Sequence, residues 1–94
     1  MRLTPDQIHA IQSTVQTVLG EGAQVTLFGS RVDDKLKGGD VDLYVETAKP
    51  DLMGKIRCKV SLQDQLDMPV DLIVKAYGDH SPIALIAKHE GIRL

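Results

Sequence analysis

The sequence predicts an α/β domain: a small twisted mixed β-sheet with helices packed on one face. Two observations carry that expectation. Three segments place apolar residues at helical spacing behind capping signals, and three short runs of strand-forming residues lie between them. The resulting order is helix, strand, strand, helix, strand, helix. With 94 residues there is room for one domain, spanning 1–94, and one small core.

The first helix is predicted over 5–19. Thr4, Pro5 and Gln7 form an N-cap, a first-turn proline and a capping-box partner. Ile8, Ile11, Val15, Val18 and Leu19 follow as one apolar stripe, and Gly20 and Gly22 supply the stop. Residues 25–28 form a strand that ends abruptly at Gly29-Ser30. The polar stretch 31–39 is a loop carrying Asp33, Asp34, Lys35 and Lys37. Residues 40–46 alternate, with Asp40, Asp42 and Tyr44 on one side and Val41, Leu43 and Val45 on the other, so one face of this strand is buried. Pro50 and Asp51 start a second helix whose core face is expected at Leu52, Met53, Ile56, Val60 and Leu66. The run PVDLIV at 69–74 is a third strand. Ser81-Pro82 repeats the cap-and-proline start for a short helix over 83–89, ended by Gly91.

Composition narrows the function classes. The chain is 43% hydrophobic and 26% charged, as globular domains are and disordered segments are not. No apolar run suits a membrane span, and the N-terminal residues lack a signal-peptide core. A formal charge of −2 argues against non-specific nucleic-acid binding. One Phe, two Tyr and no Trp leave little for a base-stacking surface. A single cysteine, Cys58, excludes an internal disulfide and a multi-cysteine zinc site. A cytoplasmic protein is the simplest expectation.

Three carboxylates stand where carboxylates are locally a poor choice. Asp is depleted in strands, yet Asp40 and Asp42 alternate in one strand and Asp71 sits inside another. Alternation puts Asp40 and Asp42 on one face with Cα atoms about 6.6 Å apart. If the third strand lies alongside, Asp71 joins them, and three like charges at that spacing call for a neutraliser. A hard divalent cation such as Mg²⁺, as one or two ions, takes oxygen ligands and leaves room for substrate phosphates. A plainer reading stands beside this one: an Asp-x-Asp pair also suits a solvated strand face, and Asp71 also suits an edge strand protected from aggregation. Gly29-Ser30 shifts the balance. A small pair at a strand end lets backbone N–H groups approach a phosphate, with the serine hydroxyl as a further donor and Arg31 as a nearby positive charge. Acids for the ions and amides for the phosphates together describe a metal–triphosphate site.

Other readings fail on spacing. Gly20-Glu21-Gly22 lacks a third glycine and follows a helix, and no Gly-Lys-Ser/Thr follows Gly29. Tyr44 stands where an EF-hand begun at Asp33 requires Glu. His9, His80 and His89 show no metal spacing and suit surface or helix-end positions. Cys58 has no base partner and suits a packed thiol.

The segment LFGSRVDDKLKGGDVDLYVE, with PVDLIV behind it, resembles the minimal nucleotidyltransferases of the DNA polymerase β superfamily. Their signature is a Gly-Ser, a loop, an Asp-x-Asp and a third acid on a later strand. The chain departs from the usual pattern at Gly39, where a serine often stands, and at Asp33-Asp34, in place of Arg-Gly; neither change removes an acid of the signature. The resemblance implies the polymerase β-like nucleotidyltransferase fold, Gly29 and Ser30 on phosphate, and Asp40, Asp42 and Asp71 as metal ligands, with Asp71 assisting the attacking hydroxyl. It implies transfer of a nucleotide from an NTP, expected to be ATP, with release of pyrophosphate. Small proteins of this kind often act as antitoxins that add AMP to a HEPN-type toxin, so a partner protein is the expected acceptor, with a small molecule held by a helper subunit as the alternative. Two other classes compete: a silent module that neutralises a partner by contact, and a structural α/β domain, which leaves the three strand acids unexplained.

Overall fold

A computed structural model describes residues 3–29 and 40–94. Helix α1 spans Pro5–Leu19 and is capped as expected. The Gln7 amide donates to Thr4 Oγ1 at 3.1 Å, and the Thr4 amide donates to Gln7 Oε1 at 2.8 Å. Strand β1 covers Gln24–Phe28 and β2 covers Val41–Thr47. Helix α2 spans Leu52–Leu66, where the Asp51 side chain accepts from the Gly54 amide at 3.0 Å. Strand β3 is Val70–Ala76, helix α3 is Pro82–Glu90, and β4 is the two-residue Ile92–Arg93. The sheet is mixed, in the order β3-β2-β1-β4. β1 pairs antiparallel with β2 and β4, whereas β2 and β3 run parallel, joined through α2 as a parallel pair requires.

Alternation sends Val41, Leu43 and Val45 into the main core with Val25, Leu27, Val70 and Leu72. Helices α1 and α2 cover that face through Ile11, Val15, Cys58 and Leu62, each fully buried. The expectation of helices on one face describes these two. Helix α3 crosses the opposite face, where Ala84 and Ala87 pack on Tyr44, Phe28 and Ile73. Its small inward residues let it lie close over the rings. Gly91, at its end, has an ordinary φ of −86 and is small for another reason. A Cβ there would overlap the Ala87 carbonyl and stand 2.6 Å from Thr26 Cγ2.

Two local expectations are corrected. Ser81 stands at the α3 N-cap position but makes no side-chain cap; its hydroxyl and amide both donate to Asp79 Oδ1. The inward face of α2 is Gly54, Cys58, Leu62 and Leu66, and of the expected core residues only Leu66 is buried. The small residues Gly54 and Cys58 allow close approach to the rest of the fold, which turns the larger apolar side chains outward. The strand β4 was not anticipated, because two residues carry no readable periodicity.

Candidate functional site

The site lies where β1 ends and β2 and β3 begin. Val41, Leu43 and Val45 are held in the core, so Asp42 must face the other side. The parallel register sets Asp42 directly opposite Asp71; in-register parallel partners point to the same face with strands about 4.8 Å apart. Asp40 immediately precedes β2 and is exposed, as is Asp71, whereas Asp42 is half-buried. Partial burial, followed by the charges of Asp71 and then Asp40, pushes the Asp42 carboxyl above its usual range.

Gly29 completes this corner. Its φ is +77, a conformation that side chains disfavour. The neighbouring Phe28 pairs with Asp42, and a Cβ on Gly29 would overlap Asp42 Oδ2 and stand 3.0 Å from Cγ. The turn and the central carboxylate therefore occupy adjoining space that only glycine leaves free. Ser30, Arg31 and the charged loop that follows lie outside the described residues. Among the described residues no group of three or more His, Cys, Asp or Glu side chains is already placed to hold a metal ion. The donor set of Asp40, Asp42 and Asp71 nevertheless fits a hard cation such as Mg²⁺: all are carboxylate oxygens, and the neighbouring acids Asp71 and Asp40 disfavour the charge on Asp42.

Beyond Asp42 the same sheet face holds a cluster that sequence reasoning missed. The Tyr44 hydroxyl donates to Glu46 Oε2 at 2.6 Å, and Lys88 Nζ of α3 lies 2.5 Å from that same oxygen. Burial would raise the Glu46 carboxyl, but hydrogen bonds from Lys88, Tyr44 and the Gly78 amide outweigh it and hold the group below its usual range. Burial, with the bond to Glu46, raises the Tyr44 phenol. A cavity of about 220 Å³ lined by Gln24, Thr26, Tyr44, Glu46, Lys88 and Arg93 opens beside the cluster. The alternation of β2 placed Glu46 on the face of Asp42; nothing local to the sequence showed that Lys88 would meet it.

The remaining candidates fall as read. His9, His80 and His89 are exposed. Cys58 is fully buried, and burial pushes its thiol up to about 11. No helix among the described residues is long and apolar enough to cross a membrane.

The mixed four-stranded sheet, with α1 and α2 on one face and α3 on the other, is the fold found in the solved structures that the chain resembles. Among solved structures, the chain is similar to a chain in the crystal structure of a mutant toxin–antitoxin complex, MntA-HpeT, carrying a tyrosine-to-alanine substitution. The TM-score is 0.75 at 20% identity over 98% of this chain and 71% of that one. The crystal structure of the toxin–antitoxin complex MntA-HepT gives the same TM-score at 18% identity, over 96% and 70% of the two chains. No protein-family description and no curated protein matches the sequence.

Proposed function

We propose that the chain is a Mg²⁺-dependent nucleotidyltransferase that transfers AMP from ATP to a hydroxyl of a partner protein, acting as the antitoxin of a toxin–antitoxin pair with a HEPN-type toxin. The observation that carries this reading is the in-register Asp42–Asp71 pair beside Gly29. The likeness to chains of toxin–antitoxin complexes supports the setting.

In this reading Asp40, Asp42 and Asp71 hold the metal. Bound there, Mg²⁺ offsets triphosphate charge and lowers the pKa of the acceptor hydroxyl. The Gly29 turn brings backbone N–H groups against the terminal phosphates, where no Cβ blocks them, and Ser30 adds a hydroxyl donor. Asp71, exposed at the start of β3, accepts the proton of the incoming hydroxyl. That oxygen attacks the α-phosphorus and pyrophosphate leaves. The exposure of Asp40 and Asp71 suits an acceptor that reaches in from another protein. A tyrosine fits best: it is long enough to enter, and its pKa near 10 makes it easier to ionise than serine.

The test is co-expression with a HEPN-type toxin as the candidate partner, followed by intact-mass and tandem mass spectrometry after addition of ATP and Mg²⁺. A mass gain of one AMP on a partner tyrosine, absent with Asp71→Asn, is expected. An unmodified partner that the Asp40/Asp42 double variant still neutralises would overturn this reading in favour of neutralisation by contact.

A further inference from the structure

Helix α2 exposes four large apolar side chains that its inward face does not use. Leu52, Met53, Ile56 and Val60 are 68, 58, 45 and 59% exposed. At 100° per residue all four fall in one sector of about 100°, opposite Gly54, Cys58 and Leu62. Their combined exposed area is on the order of a few hundred Å², the size that marks interaction sites on globular proteins. Charge borders the stripe. Lys55 and Lys59 flank one side and Arg57 the other, residues 52–60 contain no acid, and none of the three cations forms an ion pair with a described residue. An open cavity of about 250 Å³, lined by Pro50, Asp51, Leu52, Lys55 and Val74, adjoins the N-terminal end.

We propose that this face of α2 docks an amphipathic helix of a partner protein, its apolar seam bordered by glutamates or aspartates. The apolar stripe supplies the hydrophobic contact of a helix-to-helix interface, and the two cationic borders select a partner with acids at the matching positions. A second copy of this chain is a poor occupant. Antiparallel pairing centred on Ile56 would set the cationic borders of Lys55, Arg57 and Lys59 against the same borders of the other copy. A lipid surface is disfavoured because the stripe has no aromatic residue and the chain as a whole carries −2.

The inference rests on the proposed reading of the chain as a partner-binding protein, and it names the partner-facing surface. Because α2 covers the sheet face opposite Asp42, docking and nucleotide transfer fail separately. The probes are two dye-labelled synthetic helices with leucine at heptad a and d positions, one with glutamate and one with lysine at e and g. Fluorescence anisotropy without nucleotide should show the full chain binding the glutamate helix at least about ten-fold more tightly, a difference of about 1.4 kcal/mol. Val60→Glu should abolish that binding with unchanged far-UV circular dichroism. The charge-reversed variant Lys55→Glu/Arg57→Glu/Lys59→Glu should invert the preference, which a merely structural role for α2 would not do. Asp42→Asn should bind the glutamate helix like the parent. Equal or absent binding of both helices overturns the proposal. So does a stripe whose occupant proves to be another copy, seen as self-association in sedimentation that Val60→Glu removes, or a membrane, seen as flotation with 7:3 phosphatidylcholine–phosphatidylglycerol vesicles.

Discussion

Replacing Gly29 by alanine tests whether the turn after β1 and the central carboxylate form one unit. At φ +77 a side chain costs roughly 1–2 kcal/mol in the backbone alone. The new methyl would also overlap Asp42 Oδ2 and crowd Cγ at 3.0 Å and Cβ at 3.3 Å. The Asp42 carboxylate is the free end of its side chain, so it swings aside, at about 0.5–1.5 kcal/mol for leaving its rotamer. The sum is about 1.5–3.5 kcal/mol, which for a domain of this size lowers Tm by roughly 6–28 °C. Thermal and urea unfolding should be followed in a four-protein cycle of parent, Gly29→Ala, Asp42→Ala and the double variant. In the Asp42→Ala background Cγ and Oδ2 are gone, and Gly29→Ala should cost about 1 kcal/mol less than in the parent. An equal cost in both backgrounds would refute the contact, and a cost under about 0.5 kcal/mol would refute the left-handed turn.

The carboxylate cluster and the α3 contact give further expectations. Asp42→Asn should abolish Mg²⁺-dependent ATP binding while raising Tm. The folded-state pKa of Asp42 is raised, so its ionised form costs stability above that value and nothing well below the ordinary carboxylate range; the gain should fade in acid, as Tm measured against pH will show. Ser30→Ala should weaken ATP binding by about 1.5–3 kcal/mol in calorimetry, the loss of one hydrogen bond to a charged group. Lys88→Met strands the buried Glu46 carboxylate. Because Lys88 is itself 39% exposed, about 1–3 kcal/mol of stability should go at neutral pH. Glu46 has a lowered folded pKa, so its contribution is present above its ordinary range and lost as pH falls through the lowered value, and the two proteins should converge in acid. Cys58, buried with its thiol near 11, should react with a disulfide reagent only as fast as the protein opens; rapid labelling under native conditions would contradict its placement.

The parts of the fold governed by local chemistry were legible in the sequence. Thr4 and Gln7 named the start of α1, and the alternation of Val41, Leu43 and Val45 showed which side of β2 enters the core. The parallel register that sets Asp71 opposite Asp42 follows from core residues on both strands, so Asp71 could be nominated but not positioned. Helix α2 was misread because apolar periodicity reports an amphipathic face without saying which face is buried. Close packing through Gly54 and Cys58 turned Leu52, Met53, Ile56 and Val60 outward. The ion pair between Glu46 and Lys88 joins elements far apart in sequence, and neither residue carries a local sign of it.

The parallel pairing of β2 with β3 also orders events in time. β1 and β2 are sequence neighbours and pair antiparallel, so they can meet early; β3 can join only after α2 has crossed back over the sheet. A chain still emerging from the ribosome therefore carries Asp40 and Asp42 before Asp71 exists beside them. A partly folded protein has two of the acids and lacks the third, and on the proposed reading it has no group to take the acceptor's proton. Completion of the sheet is then the step that switches the chemistry on, so that an incompletely folded molecule would be inert toward ATP.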